Sequence, residues 1–309
     1  MDVDNTVLDD AELRDLVIDL LRAQTERDKQ RALGASDLAN QCDRCLAMKF
    51  AGVERSEPIQ SARLWMGAVL GTSIHGEIEH RIQKHSSDIE SPLFDRVSRT
   101  WPEMRHPICK IEGYGTIYGT IDWSLPRQIV DWKGTTRKKL ALLRDFLALM
   151  QGQPPIFGRQ HRLIKLSEKE YAEQMEAQVH KMNAYFAQVT LYSYARAQAG
   201  RPVEKGSIVW IARDGNGYFD LPYGDRYNDE KATHDIWVTS FDYSEAAALQ
   251  IIERAQGIFN DVQAGRPFDT FDQAPGCWTC SQEEKEAAEA ELLSATPETI
   301  TFGNQTVAA

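Results

Sequence analysis

Apolar residues recur along the chain with two periods, and these predict alternating helices and strands. Recurrence every three to four positions, as on one face of a helix, predicts amphipathic helices over residues 10–31, 61–85, 136–150, 167–199 and 244–264. Shorter apolar stretches bounded by turn residues predict strands over residues 107–112, 115–125, 128–132, 207–212 and 236–243. A short helix is also predicted to begin at Ser36. This alternation predicts an α/β fold in which helices flank a small mixed sheet.

The two strands over residues 115–132 are joined by a tight turn at Pro126, whose ring fixes φ near the value that such a turn requires. Because side chains alternate along a strand, Asp131 and Lys133 point to the same face. Asp122 is close to the end of the partner strand and can lie beside Asp131. The pattern therefore brings two carboxylates and an ammonium to one point.

Carboxylates and a lysine at one point suit a divalent cation and a phosphate. Carboxylate oxygens are the hard ligands that Mg²⁺ and Mn²⁺ prefer. A lysine beside them can orient a water or stabilise charge on a phosphate. A single Asp-x-Lys triplet is also common on solvated hairpins. Here the triplet closes an apolar strand that includes Ile129 and Val130, and a second aspartate lies one hairpin away, so we predict a metal site.

Two predicted helices carry further candidates. Ser61 is a plausible N-cap for the helix over residues 61–85, and His75 lies on its apolar stripe. His75 is either a core histidine or a metal ligand, and Glu79, one turn further on, is the competing ligand. Gln188 and Tyr192 are four residues apart and project from one helix face, where they are either core residues or partners for a water, a phosphate or a catalytic side chain.

The order of these residues resembles the motifs of the RecB-like PD-(D/E)XK nucleases, the branch that includes the CRISPR-associated and phage exonucleases. That pattern has a histidine on an early helix, a Gly-x-x-Asp strand end, an (Asp/Glu)-x-Lys strand and a Gln-x-x-x-Tyr helix. The proline of the family name is replaced by Ile121, as is common in this branch. The resemblance covers residues 36–285. The matching residues are His75, Gly119 to Asp122, Asp131 with Lys133, and Gln188 with Tyr192.

The resemblance implies a restriction-endonuclease-like core and a metal site. Asp122 and Asp131 are then ligands of Mg²⁺ or Mn²⁺, His75 is the third ligand, and the carbonyl of Trp132 adds another.

The resemblance also implies a reaction. Lys133 positions or activates the attacking water or neutralises the phosphate, while Gln188 and Tyr192 organise the water and the DNA backbone. The expected function is a metal-dependent DNA exonuclease that hydrolyses phosphodiester bonds at DNA ends or in single strands, in recombination, repair or processing. The alternatives are a structure-selective or restriction-type endonuclease, and a non-catalytic, metal-stapled DNA-binding module.

The cysteines predict a second metal centre. Cys42 with Cys45, and Cys277 with Cys280, form two Cys-x-x-Cys pairs, a spacing that lets two thiolates bind one metal. The two pairs together could staple the N- and C-terminal segments. Four thiolates suit either Zn²⁺ or an iron–sulfur cluster, and the resemblance implies a 4Fe–4S cluster, although the family more often has one early and three late cysteines. Cys109 is expected to be a buried strand thiol.

Composition limits the possible partners and location. The chain has 309 residues and a net charge of −11, which argues against affinity for nucleic acid over its whole surface but not against a local basic path. Such a path is predicted at Arg137, Lys138 and Lys139, which otherwise form an ordinary solvated helix face. With no apolar run near the ~20 residues that span a membrane, we expect a cytoplasmic protein of a bacterium or a phage-infected cell.

The predicted organisation of the chain has three parts. They are an amphipathic helix in residues 1–35, the nuclease domain with its metal staple in residues 36–285, and an acidic tail, expected to be flexible, in residues 286–309.

Overall fold

The computed structural model describes residues 33–53, 62–161, 164–214, 236–274, 277, 280–281, 299–302 and 305–308, and it describes residues 62–70, 299–302 and 305–308 by their backbone alone. The predicted helix over residues 10–31 and the N-cap Ser61 lie outside the described residues. Most of the predicted acidic tail also lies outside them, and the proposed domain boundaries stay a prediction.

The described elements match the predicted alternation of helices and strands. They are α1 (Ala35–Leu38), α2 (Asp43–Phe50), α3 (Ala62–Ser87), α4 (Phe94–Val97), β1 (Trp101–Ile111), β2 (Gly115–Ser124), β3 (Gln128–Thr135), α5 (Arg137–Met150), α6 (Glu168–Gln198), β4 (Lys205–Ala212), β5 (Ile236–Asp242), α7 (Glu245–Gln263), β6 (Thr299–Phe302) and β7 (Gln305–Ala308).

The main sheet has five strands in the order β1-β2-β3-β4-β5, and β6 pairs with β7 in a separate two-stranded sheet. In the main sheet every neighbouring pair is antiparallel except β3 and β4, which are parallel over their whole length. Parallel strands need a long crossover connection, and α5 and α6 supply it. The mixed sheet flanked by helices confirms the predicted α/β fold.

Helix α6 is the central helix of the domain. It begins at the N-cap Ser167, whose hydroxyl accepts from the N–H of Glu170 while the Glu170 carboxylate accepts from the N–H of Ser167. It packs against β1, β3, β4, α1, α5 and α7. Val189 and Leu191 are fully buried there, so the helix is fixed against the sheet through apolar contacts.

Two segments differ from the sequence prediction. Strand β1 begins at Trp101, six residues before the predicted start, and its pairing with β2 shifts between Pro107 and Cys109. The connection after α5, where two adjacent prolines and a glycine predict a flexible insertion over residues 151–166, is anchored by the buried Asp145, which accepts hydrogen bonds from the N–H groups of Phe157 and Gly158. A buried carboxylate with several donors fixes a loop that has no regular structure of its own.

Within the described part of the chain, no helix has both the length and the apolar character needed to cross a membrane.

Candidate active site and cysteine centre

The candidate active site lies where β2 and β3 separate. The antiparallel ladder pairs Ser124 with Ile129 and Trp123 with Val130, so the next residues in register are Asp122 and Asp131. At this point the N–H of Trp132 donates to Oδ2 of Asp122 at 2.8 Å. A side-chain oxygen thus occupies the place of a ladder carbonyl, which fixes the Asp122 carboxylate beside β3.

Asp131 and Lys133 share one face of β3, as strand alternation predicts. Asp131 is 1% exposed, and its Oδ2 atom lies 2.8 Å from Nζ of Lys133. This contact is an ion pair; no described residue donates a hydrogen bond of good geometry to that oxygen. A buried carboxylate oxygen with unused acceptor capacity is a typical position for a cation ligand.

Two more ligand candidates face Asp122. One ligand atom each from His75, Glu103 and Asp122 lie within 4.8 Å of one another. Glu103 lies between the register pairs Pro102–Trp123 and Met104–Ile121, so it faces Asp122 across the two strands. Its φ of +48° is unusual for a residue with a side chain and sets it apart from the rest of β1.

Sequence reasoning did not find Glu103. The predicted strand began at residue 107, and the opposition of Glu103 to Asp122 follows only from the β1–β2 register. The one signal in the sequence is the acidic side chain itself. It could have suggested a ligand only if β1 had been predicted to begin before residue 103.

His75 is placed by a close approach of α3 to β3. A Cβ atom at Gly134 would lie 3.7 Å from Cα of Gly71, one helical turn before His75. Nδ1 of His75 is 3.6 Å from Oδ2 of Asp122, and the backbone of Trp132 is a hydrogen-bond partner of the ring. Burial, with the charge of Lys133, lowers the pKa of His75, against the opposing effect of Asp131. The imidazole is therefore neutral and can act as a ligand. The competing candidate Glu79 instead accepts a hydrogen bond from Gln83.

The two aspartates form a carboxylate pair that favours a cation. Burial, followed by the charge of Asp131, raises the pKa of Asp122 to about 8, although the N–H of Trp132 and the charge of Lys133 oppose the shift. Burial likewise raises the pKa of Asp131. Burial lowers the pKa of Lys133, but the contact with Asp131 and the charge of Asp122 outweigh it, so the pKa is raised and the lysine is charged. The residues present fit a hard divalent cation.

Gln188 and Tyr192 extend the site from α6. Nζ of Lys133 donates to Oε1 of Gln188 at 3.3 Å, and Nε2 of Gln188 donates to the hydroxyl of Tyr192 at 2.9 Å. Tyr192 is buried, which raises its pKa, so it is a neutral phenol. The structure thus brings together all the residues that were predicted for the active site.

The predicted basic segment is only partly exposed. Lys138 and Lys139 are exposed, whereas Arg137 is buried and its N–H donates to Asp214. Lys181, on the face of α6 towards Lys133, was not predicted. The Nζ atoms of Lys133 and Lys181 lie 5.1 Å and 5.9 Å from the centre of the same ring, that of Tyr185.

Further positive charges surround Lys181. Burial, then the charges of Lys139 and Arg213, lower the pKa of Lys181 to about 8. Arg213 also lies beside β3, since its Cδ would be 3.2 Å from a Cβ atom at Gly134. Neighbouring cations repel one another, and a bound anion relieves that repulsion. This group of side chains therefore favours the binding of an anion.

The four predicted cysteines form one cluster. Their sulfur atoms all lie within 4.8 Å of one another, and none is in a disulfide bond. Cys42 is the N-cap of α2, and Cys45 lies in the first turn of that helix. Donation from the Cys45 thiol outweighs burial and lowers the pKa of Cys42 to about 4, helped by the backbone groups of Ala274 and Cys45. Cys109 lies in β1, outside this cluster, and burial raises its pKa to about 11.

Arg254 of α7 holds the segment that carries the first cysteine pair. Its guanidinium donates to the carbonyls of Leu38 and Asn40 and forms an ion pair with Asp43. The side chain of Asn40 in turn accepts from the N–H of Cys42. These contacts position the cysteine pair independently of the sulfur atoms.

Comparisons with known proteins give low similarities. The sequence matches no protein-family model and no curated protein. An alkaline exonuclease from Laribacter hongkongensis, LHK-Exo, gives a TM-score of 0.38 at 10% identity over 85% of this chain and 97% of that one. The same exonuclease in complex with dAMP gives 0.37 at 12% identity over 86% and 100%. A phage-related exonuclease from Haemophilus somnus 129PT gives 0.34 at 12% identity over 81% and 95%.

Proposed function

We propose that the chain is a metal-dependent deoxyribonuclease, most consistent with an exonuclease acting on DNA ends or single strands. The observation that supports it is the convergence of Asp122, Asp131 and Lys133 at the point where two strands separate. A purely structural hairpin gains nothing from burying two carboxylates side by side, because burial disfavours the charged form of both and the charge of Asp131 further raises the free energy of ionising Asp122.

The candidate metal ligands come from three strands and one helix. Asp122 and Asp131, with His75 and Glu103, would hold a divalent cation, and the carbonyl of Trp132 would be a further ligand. Mg²⁺ or Mn²⁺ bound there polarises a phosphate and lowers the pKa of a water.

The remaining residues act on the water and the phosphate. Lys133 is held by Asp131 and Gln188, so its charge is fixed where negative charge develops on the scissile phosphate during in-line attack. The ion pair with Asp131 keeps Lys133 protonated, so it acts here as a charge and a hydrogen-bond donor. Tyr192 holds the orientation of Gln188 by accepting from its amide.

The DNA backbone would run along the cations beside this site. Lys181 and Lys133 flank the Tyr185 ring, and Lys139 and Arg213 lie close enough to lower the pKa of Lys181. These groups, with the exposed Lys138, form a local positive surface on a chain of net charge −11. Phosphate contacts of this kind give affinity without sequence preference. Arg137 was predicted to be part of this surface. Because its side chain is buried, we do not include it among the groups that contact DNA.

The function is tested by cleavage with Mn²⁺ or Mg²⁺ of three labelled substrates: linear duplex, single strand and closed circular duplex. Activity on the first two and not on the circle supports an exonuclease, and activity on the circle supports the endonuclease alternative. Asp131→Asn and Lys133→Met should each abolish cleavage while DNA binding remains, and Lys110→Gln, on the exposed edge of β1, is the matched control. Binding without cleavage by the wild type under every condition would support the non-catalytic DNA-binding module.

The cysteine cluster is proposed to be a metal centre, for which a 4Fe–4S cluster and zinc are the two candidates. The proposed role of the protein is in DNA recombination, repair or processing.

A further inference from the structure

The spacing of the four sulfur atoms distinguishes between the two candidate metal centres. Sγ of Cys45 is 3.4 Å from that of Cys277 and 3.6 Å from that of Cys280, and Sγ of Cys42 is 3.6 Å from that of Cys280. All four lie within 4.8 Å of one another. The cluster is therefore small, and its four corners come from two segments far apart in the chain.

This spacing is that of four ligands around one ion. In a tetrahedral zinc site the Zn–S bonds are about 2.3 Å, so the sulfur atoms at the corners are ~3.8 Å apart. The three Sγ–Sγ distances given above, 3.4 to 3.6 Å, are slightly below this value. The space between the four sulfur atoms is therefore of the size that one ion fills.

A 4Fe–4S cluster needs a wider arrangement. Each of its thiolates binds a different iron atom at a corner of the cube. The distance between two thiolate sulfur atoms is then the sum of two lengths. One is the iron–iron distance in the cube, and the other is the sulfur–sulfur distance around a single ion. That sum exceeds 4.8 Å for every pair of cysteines, whereas no pair here reaches it. The iron–sulfur cluster that the sequence resemblance implies does not fit these residues.

We propose that Cys42, Cys45, Cys277 and Cys280 bind a single zinc ion in a closed tetrahedral site. All four positions of the ion are filled by protein ligands, so the site is structural and has no open position for a substrate. Arg254 and Asn40 also hold the segment that leads into Cys42 through contacts that do not involve the sulfur atoms. The proposal is independent of the nuclease activity.

The test uses wild-type protein produced in medium that supplies both iron and zinc and purified without oxygen. We expect one zinc and no acid-labile sulfide per chain. X-ray absorption at the zinc edge should show four sulfur neighbours at about 2.3 Å and no neighbouring metal. Four irons with sulfide, or iron–iron scattering, would overturn the proposal, as would the absence of bound metal. One iron without sulfide would keep the single-ion geometry and overturn zinc.

Two variants assign the ion to these residues. Cys280→Ser should lose zinc or bind it much more weakly, and Cys109→Ser, which changes a cysteine outside the cluster, should keep one zinc per chain. Asp131→Asn should also keep it while losing cleavage, so a failed nuclease assay and a failed zinc site give different results. Full zinc retention in Cys280→Ser would contradict the four-cysteine site.

Discussion

A Cβ atom at position 119 would lie 2.7 Å from Cε1 of Tyr192, closer than two carbon atoms can approach. The glycine is therefore required by a neighbouring ring, since its backbone conformation is open to other residues. Tyr192 accepts from Gln188, and Gln188 accepts from Lys133. The absence of a side chain at Gly119 thus leaves room for Tyr192. Tyr192 begins the hydrogen-bonded series of side chains that ends at the candidate catalytic lysine.

Gly119→Ala should reduce cleavage at least about 10-fold and lower the free energy of unfolding by ~1–3 kcal/mol, the usual cost of overpacking. The added methyl also meets Ala35 and Ile108 at 3.2 Å, so it cannot shift away from the ring. The turnover rate and urea unfolding measure the two effects. Gly257→Ala is the control: it lies within α7 with nothing within 4 Å and should raise stability by ~1 kcal/mol without changing activity. Unchanged activity in Gly119→Ala would remove Tyr192 from the site.

Glu103→Gln should raise the Mn²⁺ concentration needed for half-maximal cleavage by roughly 10-fold or more. The substitution keeps the shape of the side chain and removes the charge that faces Asp122 and His75. The measurement is a metal titration of the cleavage rate, with Glu112→Gln, in the exposed turn after β1, as the matched control. A titration identical to that of the wild type would leave Glu103 as a bystander.

The contribution of Asp122 to the stability of the protein without added Mg²⁺ or Mn²⁺ should fall as the pH rises from about 4 to about 8. The pKa of Asp122 is about 8 in the folded protein, above its ordinary value of 3.8. Its stabilising contribution is therefore complete below the unfolded pKa and is lost as the pH rises through the folded pKa. Asp122→Asn should match the wild type near pH 4 and be the more stable protein above pH 8.

The measurement is urea unfolding of both proteins across that range. Chelators are left out, since they would also strip the cysteine centre. Saturating Mg²⁺ should reverse the order at high pH, because only the wild type keeps the ligand. Parallel curves for the two proteins at all pH values would contradict the proposed burial of a carboxylate pair.

Lys181→Gln should weaken binding of DNA of any sequence and reduce the slope of log affinity against log salt by about 1. Lys181 lies among Lys139 and Arg213, beside the ring that also contacts Lys133. Lys169→Gln, on the exposed first turn of the same helix, is the control and should leave the slope unchanged. The measurement is a binding titration with a catalytically inactive background such as Asp131→Asn. Equal slopes for the two variants would move the DNA path elsewhere.

The sequence was sufficient where the site depends on local geometry. Asp131 and Lys133 share a face because strands alternate, and Gln188 and Tyr192 share a face because they are one helical turn apart. The convergence of Asp122 with Asp131 followed from a two-strand hairpin with a recognisable turn. The two cysteine pairs were evident from their spacing, and the structure brings them together.

The sequence was insufficient where the site depends on register or on packing between distant elements. Glu103 faces Asp122 only because β1 extends further than its apolar run and pairs in one register with β2. Lys181 and Arg213 approach through the packing of α6 on the sheet, to which no periodicity of the sequence points. Arg137 was predicted to be exposed from its charge, but its place at the start of α5 buries it. The choice between one ion and a cluster needed distances between sulfur atoms.

The cysteine cluster joins residues that are 238 positions apart in the chain, and Arg254 ties α7 to the same segment. With the ion bound, a mechanical load applied to the chain ahead of Cys42 and beyond Cys280 passes through the metal–sulfur bonds. The chain between the two cysteine pairs, which includes the five-stranded sheet, is then a loop closed by the ion. Strands β2 and β3, whose ladder is short where the carboxylates lie, are inside that loop, so tension between the two cysteine pairs would pass around them.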